Sequence, residues 1–385
     1  MASTFKTFLS DDITTTRTLL HEAIPITGSI VNGNTYNEVT EGANDTESGS
    51  EASTNIKTYG HGMFQSVYDY PYQSSSANHI FDITHGVSVD ANTYDATDTF
   101  AAKRKNIYNQ MAQVLVGHKL DGAIRRFDAD GNLDDGLVYD SLVFFNFARL
   151  LGKDEIKKGT FELELGVTVA HDTGSAGAGY EDMHAATIKI KDSATTYKVN
   201  SPAGEYGILS VSNGQGSPLG AVTETKCGLI YYQAGIVAIT TELFLSGTTP
   251  VANGTGGYLT TDVQMNNSAD TIATILDAAS STMDEVSTAI RRRISNISFS
   301  NTTELNSTIY FCRVGHNDFN YSSNPTYLEN SRIRVKNASK DAPVSYITTV
   351  GLYSSDNEML AVAKLSEPLR KDPTNDMTLR VRLDY

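Results

Sequence analysis

The sequence predicts a mainly β, α+β fold built of antiparallel β-sandwich-like modules, and three observations carry that reading. From residue 161 onward apolar and polar residues alternate in run after run, most cleanly in Phe161-Glu-Leu-Glu-Leu-Gly-Val-Thr-Val169. That period belongs to a half-buried strand. Turn residues separate the runs at about 8–12 residue intervals, the spacing of sandwiches and barrels. Helices are few: three stretches, about 10–23, 99–117 and 268–294, and a one- or two-turn segment near 153–158.

Each element has a local reason. Over 10–23, Ser10 serves as N-cap with Asp11 and Asp12 in the first turn, and Pro25 and Gly28 close the segment. Thr99 opens the second helix, where Ile107, Met111, Val114 and Leu115 recur at helical spacing. A one- or two-turn helix is expected at about 153–158. Ser268 caps the third helix, which carries Ile272, Ile275, Leu276, Met283, Val286 and Ile290 and ends on Arg291-Arg-Arg293. Cations there suit the helix dipole. Asp128-Ala-Asp-Gly131-Asn reads as a hairpin turn before the strand Leu142–Phe147, and Gln233-Ala-Gly235 as a tight turn between two strands. Further strands are expected near 295–300, 308–314, 331–336, 345–353, 359–365 and 378–384.

Three domains follow from this pattern: an α+β domain over 1–160 with an acidic loop at 32–55, a β-rich domain over 161–266, and a helix plus β-sandwich-like module over 267–385. The acidic loop holds five acids and no base. Charge is uneven as well. Residues 281–385 contain 13 Lys+Arg and 12 Asp+Glu, whereas the first 280 contain 17 and 33, and the whole chain is −15.

Composition excludes several classes. The 385 residues are 39% hydrophobic, with 20 Tyr, 14 Phe and no Trp, enough apolar mass for sizeable cores. A pI near 4.9 argues against direct nucleic-acid binding, which needs clustered cations. No basic-then-apolar leader opens the chain, and no run of about 18 apolar residues suggests a membrane span. Cys227 and Cys312 are too few for a disulfide framework and read as small buried hydrophobes.

Chemistry finds no constellation to carry it. His79-x-x-Asp82-x-x-His85 falls on a strand, where Asp82 would point away from both histidines. Asp128-x-Asp130-x-Asn132 opens like a calcium loop, but Leu133 stands where the loop needs Gly and Tyr139 where it needs Glu. The stretch Gly174-Ser-Ala-Gly-Ala-Gly179 lacks the Gly-Lys-Ser/Thr of a phosphate loop. The arginine triplet 291–293 reads as a solvated helix end or a partner for an acidic neighbour. The expectation is a non-enzyme with no catalytic, cofactor or metal residues and no cofactor.

What the chain offers instead is surface for assembly. The aromatic segment 59–80, with Tyr68, Tyr70 and Tyr72, either fills a core or forms an interface. Tyr346-Ile-Thr-Thr-Val-Gly-Leu-Tyr353, the turn Ser354–Asn357 and Glu358-Met-Leu-Ala-Val-Ala-Lys-Leu-Ser366 form a hairpin. Its returning strand is apolar on both faces, which implies burial in a sandwich or between chains. The expected interface residues are Tyr346, Ile347, Val350, Leu352, Tyr353, Leu360, Val362, Leu365 and Tyr385, with Tyr68, Tyr70 and Tyr72. The last strand, ending at Tyr385, is a natural edge for strand addition.

Asn317–Tyr327, the 346–366 hairpin and the closing Leu379-Arg-Val-Arg-Leu-Asp-Tyr385 resemble the terminal module of virion structural proteins of large contractile-tailed phages, particularly those of marine cyanobacteria. His21-Glu-Ala-Ile-Pro-Ile-Thr-Gly-Ser-Ile-Val-Asn-Gly33, the segment 62–84 and Gly228–Thr240 are similar to the same group. The resemblance spans most of the chain except the 32–55 and 172–184 loops. It implies a structural subunit of a virion assembled in the host cytoplasm, in tail or baseplate, present in symmetric multiple copies or as a homo-oligomer among other virion proteins. It supplies no catalytic residues. A neck, collar or capsid-decorating subunit is the alternative within the class, and a glycan-binding receptor protein the alternative outside it.

Overall fold

The computed structural model describes residues 5–31, 55–91, 94–97, 99–133, 136–152, 154–167, 184, 187–213, 226–244, 282–322, 328–330, 332–333, 338 and 340–385. The chain is mainly β and antiparallel. Its first strands are β1 (Ile13–Leu20) and β2 (Ala23–Thr27), followed by the turn-long α1 (Gly28–Val31). Then come β3 (Ile56–Thr58), β4 (Gln65–Tyr68), β5 (His79–Val87) and α2 (Ala101–Leu115). The short β6 (Phe127–Asp128) and β7 (Val138–Tyr139) precede β8 (Ser141–Asn146), α3 (Ala148–Leu151) and β9 (Glu155–Ile156). The middle of the chain supplies β10 (Glu162–Gly166), β11 (Thr187–Ser201), β12 (Gly204–Asn213), β13 (Lys226–Tyr231) and β14 (Ile236–Thr240). Last are α4 (Met283–Arg292), β15 (Ile294–Val314), β16 (Leu328–Glu329), β17 (Arg332–Ile333), β18 (Ser345–Tyr353), β19 (Met359–Lys371) and β20 (Met377–Asp384).

Two compact units form, Leu20–Thr303 and, from both ends of the chain, Met1–Leu19 with Glu304–Tyr385. This corrects the three-domain expectation. Strands β8 and β14 pair from Ile236↔Asn146 to Thr240↔Leu142, so residues on both sides of the expected boundary at 160 share one sheet. The charge asymmetry follows the units. The two-ended unit holds 12 Lys+Arg and 12 Asp+Glu, leaving 18 and 33 for the other.

In the Leu20–Thr303 unit the sheet runs β15-β10-β11-β12-β13-β14-β8-β5-β4-β3. Both of its faces are apolar, because successive side chains alternate. Leu142 and Phe144 of β8, with Leu229 and Ala238, join one core with Ile107, Tyr108, Ala112 and Leu115 of α2. Val143 and Phe145, with Ile230 and Val237, join the other with Val286, Ala289 and Ile290 of α4. Helix α2 lies directly on β5: a Cβ at Gly86 would stand 2.8 Å from the Tyr108 backbone nitrogen. Val114, expected to face the core, is exposed, and Tyr108 takes the inward place.

Several expectations are corrected. Residues 10–23 are not helical: Ser10–Asp12 is a single 3-10 turn and β1 follows. The run Ile13-Thr-Thr-Thr16 is β-branched, and stiff χ1 rotamers favour the extended chain over a helix despite the cap signals. The short helix expected at 153–158 lies at Ala148–Leu151, and Glu155–Ile156 pairs with Thr302 and Asn301 of β15. Helix α4 falls in the second half of the 268–294 stretch; residues 268–281 lie outside the described residues, as do 32–54. A capping box starts it, with the Glu285 N–H donating to Thr282 Oγ1 at 3.1 Å. The strands expected at 295–300 and 308–314 are one strand, β15.

The arginine triplet is no solvated helix end. Arg291 and Arg293 are buried. Arg291 Nη1 donates to the Val31 carbonyl at 2.7 Å and Arg293 Nη1 to the Gly166 carbonyl at 3.0 Å. Gly166 N–H in turn donates to the Arg293 carbonyl at 2.8 Å. Guanidinium groups at the end of α4 thus satisfy carbonyls inside the unit, and burial lowers the Arg293 pKa to about 10.

Two predictions follow from this packing. Gly86→Ala pushes α2 off β5, and overpacking of this kind costs ~1–3 kcal/mol; calorimetry should show a transition several degrees lower, while unaltered melting would refute the flush contact. His85 is fully buried beside Arg104, and burial first, then that cation, holds its pKa well below the usual imidazole range. Its ring bonds Ser141 Oγ at 3.0 Å. Because the unfolded imidazole takes up a proton near pH 6.5 and the folded one does not, stability falls as pH drops below that value, by up to about 1.4 kcal/mol per pH unit. Urea titrations of His85→Gln between about pH 7.5 and 5.5 (roughly one unit either side of the free imidazole pKa) should lose that slope; an identical slope would exclude His85 as its source.

Candidate assembly surface

The expected interface residues fall in two places, one in each unit. In the two-ended unit, β18 and β19 form a two-stranded antiparallel ribbon with Val350 opposite Ala363, Gly351 opposite Val362 and Leu352 opposite Ala361. Its tip is the turn predicted at Ser354–Asn357: the Ser354 N–H donates to the Glu358 carbonyl at 2.8 Å, and Asn357 takes a left-handed φ of 64°. Asn tolerates that conformation better than most residues.

The foot of the ribbon is pinned by polar contacts. Lys371 is fully buried, and its Nζ donates to the His316 carbonyl at 3.1 Å, Asn320 Oδ1 at 2.9 Å and the Asp372 carbonyl at 2.7 Å. The buried Ser345 hydroxyl donates to the Phe319 carbonyl. Three acceptors around one ammonium explain how a charge is held out of water here. Nearby, Tyr353 packs edge-on against Phe5 with ring centroids 4.9 Å apart. A Cβ at Gly351 would lie 2.9 Å from the Tyr353 ring, so only glycine leaves room for that ring to fold back along the strand.

One face of the ribbon looks inward and the other out. Leu352 is buried, and Ile347, Val350 and Leu365 are half-buried; these four anchor the ribbon rather than present it. Tyr346 (54%), Leu360 (70%) and Val362 (56%) are exposed, as is Tyr353. Met359 and Leu369, absent from the sequence-based set, are exposed as well. They stand at the ends of the apolar run, where the alternation that identified their neighbours fades. No described strand pairs with the outer edge of β18 or of β19.

Strand β20 pairs with β15 from Ser307↔Asp384 to Val314↔Met377. Tyr385 continues the ladder, exchanging backbone hydrogen bonds with Asn306 at 2.9 and 3.1 Å, and its side chain is 73% exposed. Among the described residues nothing pairs with the other edge of β20. In β1 all eight residues are exposed, including Ile13 and Leu19, a surface concealed by the helical reading of 10–23.

In the Leu20–Thr303 unit the aromatic segment is largely self-contained. Tyr59 stacks on His61 at 5.1 Å and contacts Phe64 at 4.7 Å, and Lys57 Nζ lies 4.8 Å from the Tyr59 centroid and 5.5 Å from that of Tyr72. Tyr68 and Tyr72 are half-buried, whereas Tyr70 is exposed. Most of these rings therefore fill local structure at the sheet edge, and Tyr70 alone of the three expected tyrosines presents its ring.

Geometry corrects one reading of the histidine motif. His79 Nε2 lies 2.7 Å from Asp82 Oδ1, on the same face. A bulge does this: Val67 opposes Phe81 while Tyr68 opposes His79, leaving Ile80 as the extra residue that flips the alternation. Burial raises the Asp82 pKa, but hydrogen bonds from His79 and Ser66 outweigh it and leave the carboxyl below its usual value. His85 bonds Ser141 instead. Asp128 Oδ1 accepts the Asp130 and Gly131 N–H groups at 2.8 and 2.7 Å, so this carboxylate closes a turn. Among the described residues no group of three or more His, Cys, Asp or Glu is placed to hold a metal ion, and no helix is long and apolar enough to cross a membrane.

Removing the buried ammonium tests the anchoring. Lys371→Ala removes three charge-assisted hydrogen bonds to part-buried acceptors and leaves a hole where the side chain was buried, at ~1–3 kcal/mol, and hydrogen exchange across 345–371 should quicken while β8, β13 and β14 keep their protection; unchanged exchange in the ribbon would show that Lys371 does not hold it. No family model matches the chain, and neither a curated protein nor a solved structure does.

Proposed function

We propose that this chain is a non-enzymatic structural subunit of a phage virion, placed in the tail or baseplate and acting through protein–protein assembly. One observation carries the reading: the segment whose sequence resembles the phage proteins, 346–366, is also the one that carries an exposed apolar ribbon. Monomeric surfaces rarely leave such rows of Leu, Val, Met and Tyr in water without a partner. The foot of the ribbon is pinned internally, so the apolar side chains are held out on a scaffold rather than left on a loose loop.

Cross-linking mass spectrometry on intact purified virions tests the proposal. Lys364 and Lys6 are exposed and suited to the reagent, whereas the buried Lys371 is not. Links from Lys364 to tail-tube or baseplate chains are expected. Links to the major capsid chain would move the subunit to the head, and absence of the chain from the particle would overturn the structural reading. Asp at Leu360 and Val362 should abolish incorporation, and deletion of 36–52 should leave it intact; the reverse pattern would overturn the assignment of the ribbon as the assembly element.

A further inference from the structure

We infer that Lys371 and Asn320 join in an isopeptide bond, the Lys371 side-chain nitrogen displacing ammonia from the Asn320 side-chain amide. The inference goes beyond the assembly reading and does not depend on it, because it rests on the foot of the ribbon alone.

Lysine is almost never fully buried unless an opposite charge pairs with it. Lys371 is fully buried, yet its Nζ meets three neutral acceptors, the carbonyls of His316 and Asp372 and the Asn320 amide oxygen. The two neighbouring acids are engaged elsewhere. Asp318 accepts from Lys6 and from the Gly315 N–H, and Asp372 accepts from the Thr374 N–H at 2.9 Å. An amine enclosed in this way becomes a nucleophile once it gives up a proton. Reaction also removes a charge that the interior holds at a disadvantage.

Geometry brings the two groups together. Nζ lies 2.9 Å from Asn320 Oδ1, and the carbon to be attacked is one C=O bond, about 1.2 Å, from that oxygen. Rotation about χ2, a soft torsion in asparagine, turns the face of the amide to Nζ. The His316 carbonyl accepts from Nζ at 3.1 Å and from Asn320 Nδ2 at 2.8 Å, so the incoming and leaving nitrogens sit side by side. Both partners are held from behind. Lys371 pairs with Ser345 in the ribbon, and the Ser345 hydroxyl donates to the Phe319 carbonyl. Phe319 itself takes a left-handed φ of 50°, a strained conformation for a bulky residue and one that clusters at functional sites. Fixing both groups in one place turns a slow encounter into a reaction within a single site.

In the reaction Nζ forms a bond to Cγ and the Cγ–Nδ2 bond breaks, its electron pair leaving on nitrogen. Of the three hydrogens on the Lys371 ammonium, one stays on the new amide and two go to Nδ2, which departs as an ammonium ion. Nothing is oxidised or reduced. Asp318, whose carboxyl is held low first by Lys6 and also by the Lys371 charge, is placed to carry the first of these protons. Asn320 is only half-buried, which leaves the ammonia a way out. The product ties the loop after β15 to the last residue of β19, 51 positions further on. A cross-link of that span restricts the unfolded chain and locks the foot of the ribbon.

Mass spectrometry of the intact, folded full chain tests this. Wild type should weigh one ammonia less than its sequence, and peptide mapping should recover a branched peptide that joins the fragment holding Asn320 to the one holding Lys371. Lys371→Arg, which keeps a cation and its donors, and Asn320→Ala should each show their full sequence mass, with circular dichroism to confirm that they fold. Wild type at its full sequence mass overturns the proposal whatever the variants do. So does a loss of ammonia without the branched peptide, or one that persists in Lys371→Arg.

Discussion

One sheet that is apolar on both faces dictates most of this protein. A strand whose successive side chains are all hydrophobic cannot leave either face in water, so each face must be roofed. In the Leu20–Thr303 unit the central strands β8, β13 and β14 are of this kind, and α2 covers one face while α4 covers the other. Helix positions follow from that need. Gly86 lets α2 lie flush on β5, and the two buried arginines at the end of α4 pin it to the carbonyls of Val31 and Gly166. A lysine in the place of either arginine would supply the charge without the planar fork of donors.

The two-ended unit meets the same demand differently. Its ribbon β18–β19 is also apolar on both faces, yet its own unit half-covers only one. The interior is spent on a polar pin, Lys371 with its three acceptors, rather than on a second apolar layer. A buried ammonium is a poor source of stability, but it gives the foot of the ribbon a single geometry. Rigid presentation lowers the ordering cost that a mobile loop would incur on meeting a partner. Exposed Leu360 and Val362 thus differ in kind from the scattered apolar residues found on every protein surface.

Buried ionisable groups in the larger unit are placed for packing. Tyr232 donates to Asp192 at 2.9 Å, the Gly159 N–H reaches the same carboxylate at 2.5 Å, and burial raises the Asp192 pKa. His85 is kept neutral between a hydroxyl and a buried arginine. Each of these groups closes a local hydrogen-bond account inside the core. The two act oppositely with pH: the lowered His85 pKa costs stability as pH falls, whereas the raised Asp192 pKa means that the folded state takes up a proton more readily than the unfolded chain, so acid does not weaken the fold through that carboxyl.

By itself the sequence determined the strand content, the hairpin with its Ser354–Asn357 tip, the turn at Gly235 and the helix around Ile107, because these depend on neighbours within a few residues. Alternation and turn chemistry are local physics. It misjudged residues 10–23, where capping residues and a β-branched run competed, and it read the arginine triplet as solvated because a terminal cation near a helix end usually is. Only the tertiary structure decided that Arg291 and Arg293 point inward, that a bulge at Ile80 brings His79 to Asp82, and that Leu352 is buried while Leu360 is exposed. Burial is a property of what the rest of the chain covers. In a ribbon apolar on both sides, no local pattern distinguishes the face the protein keeps from the face it presents.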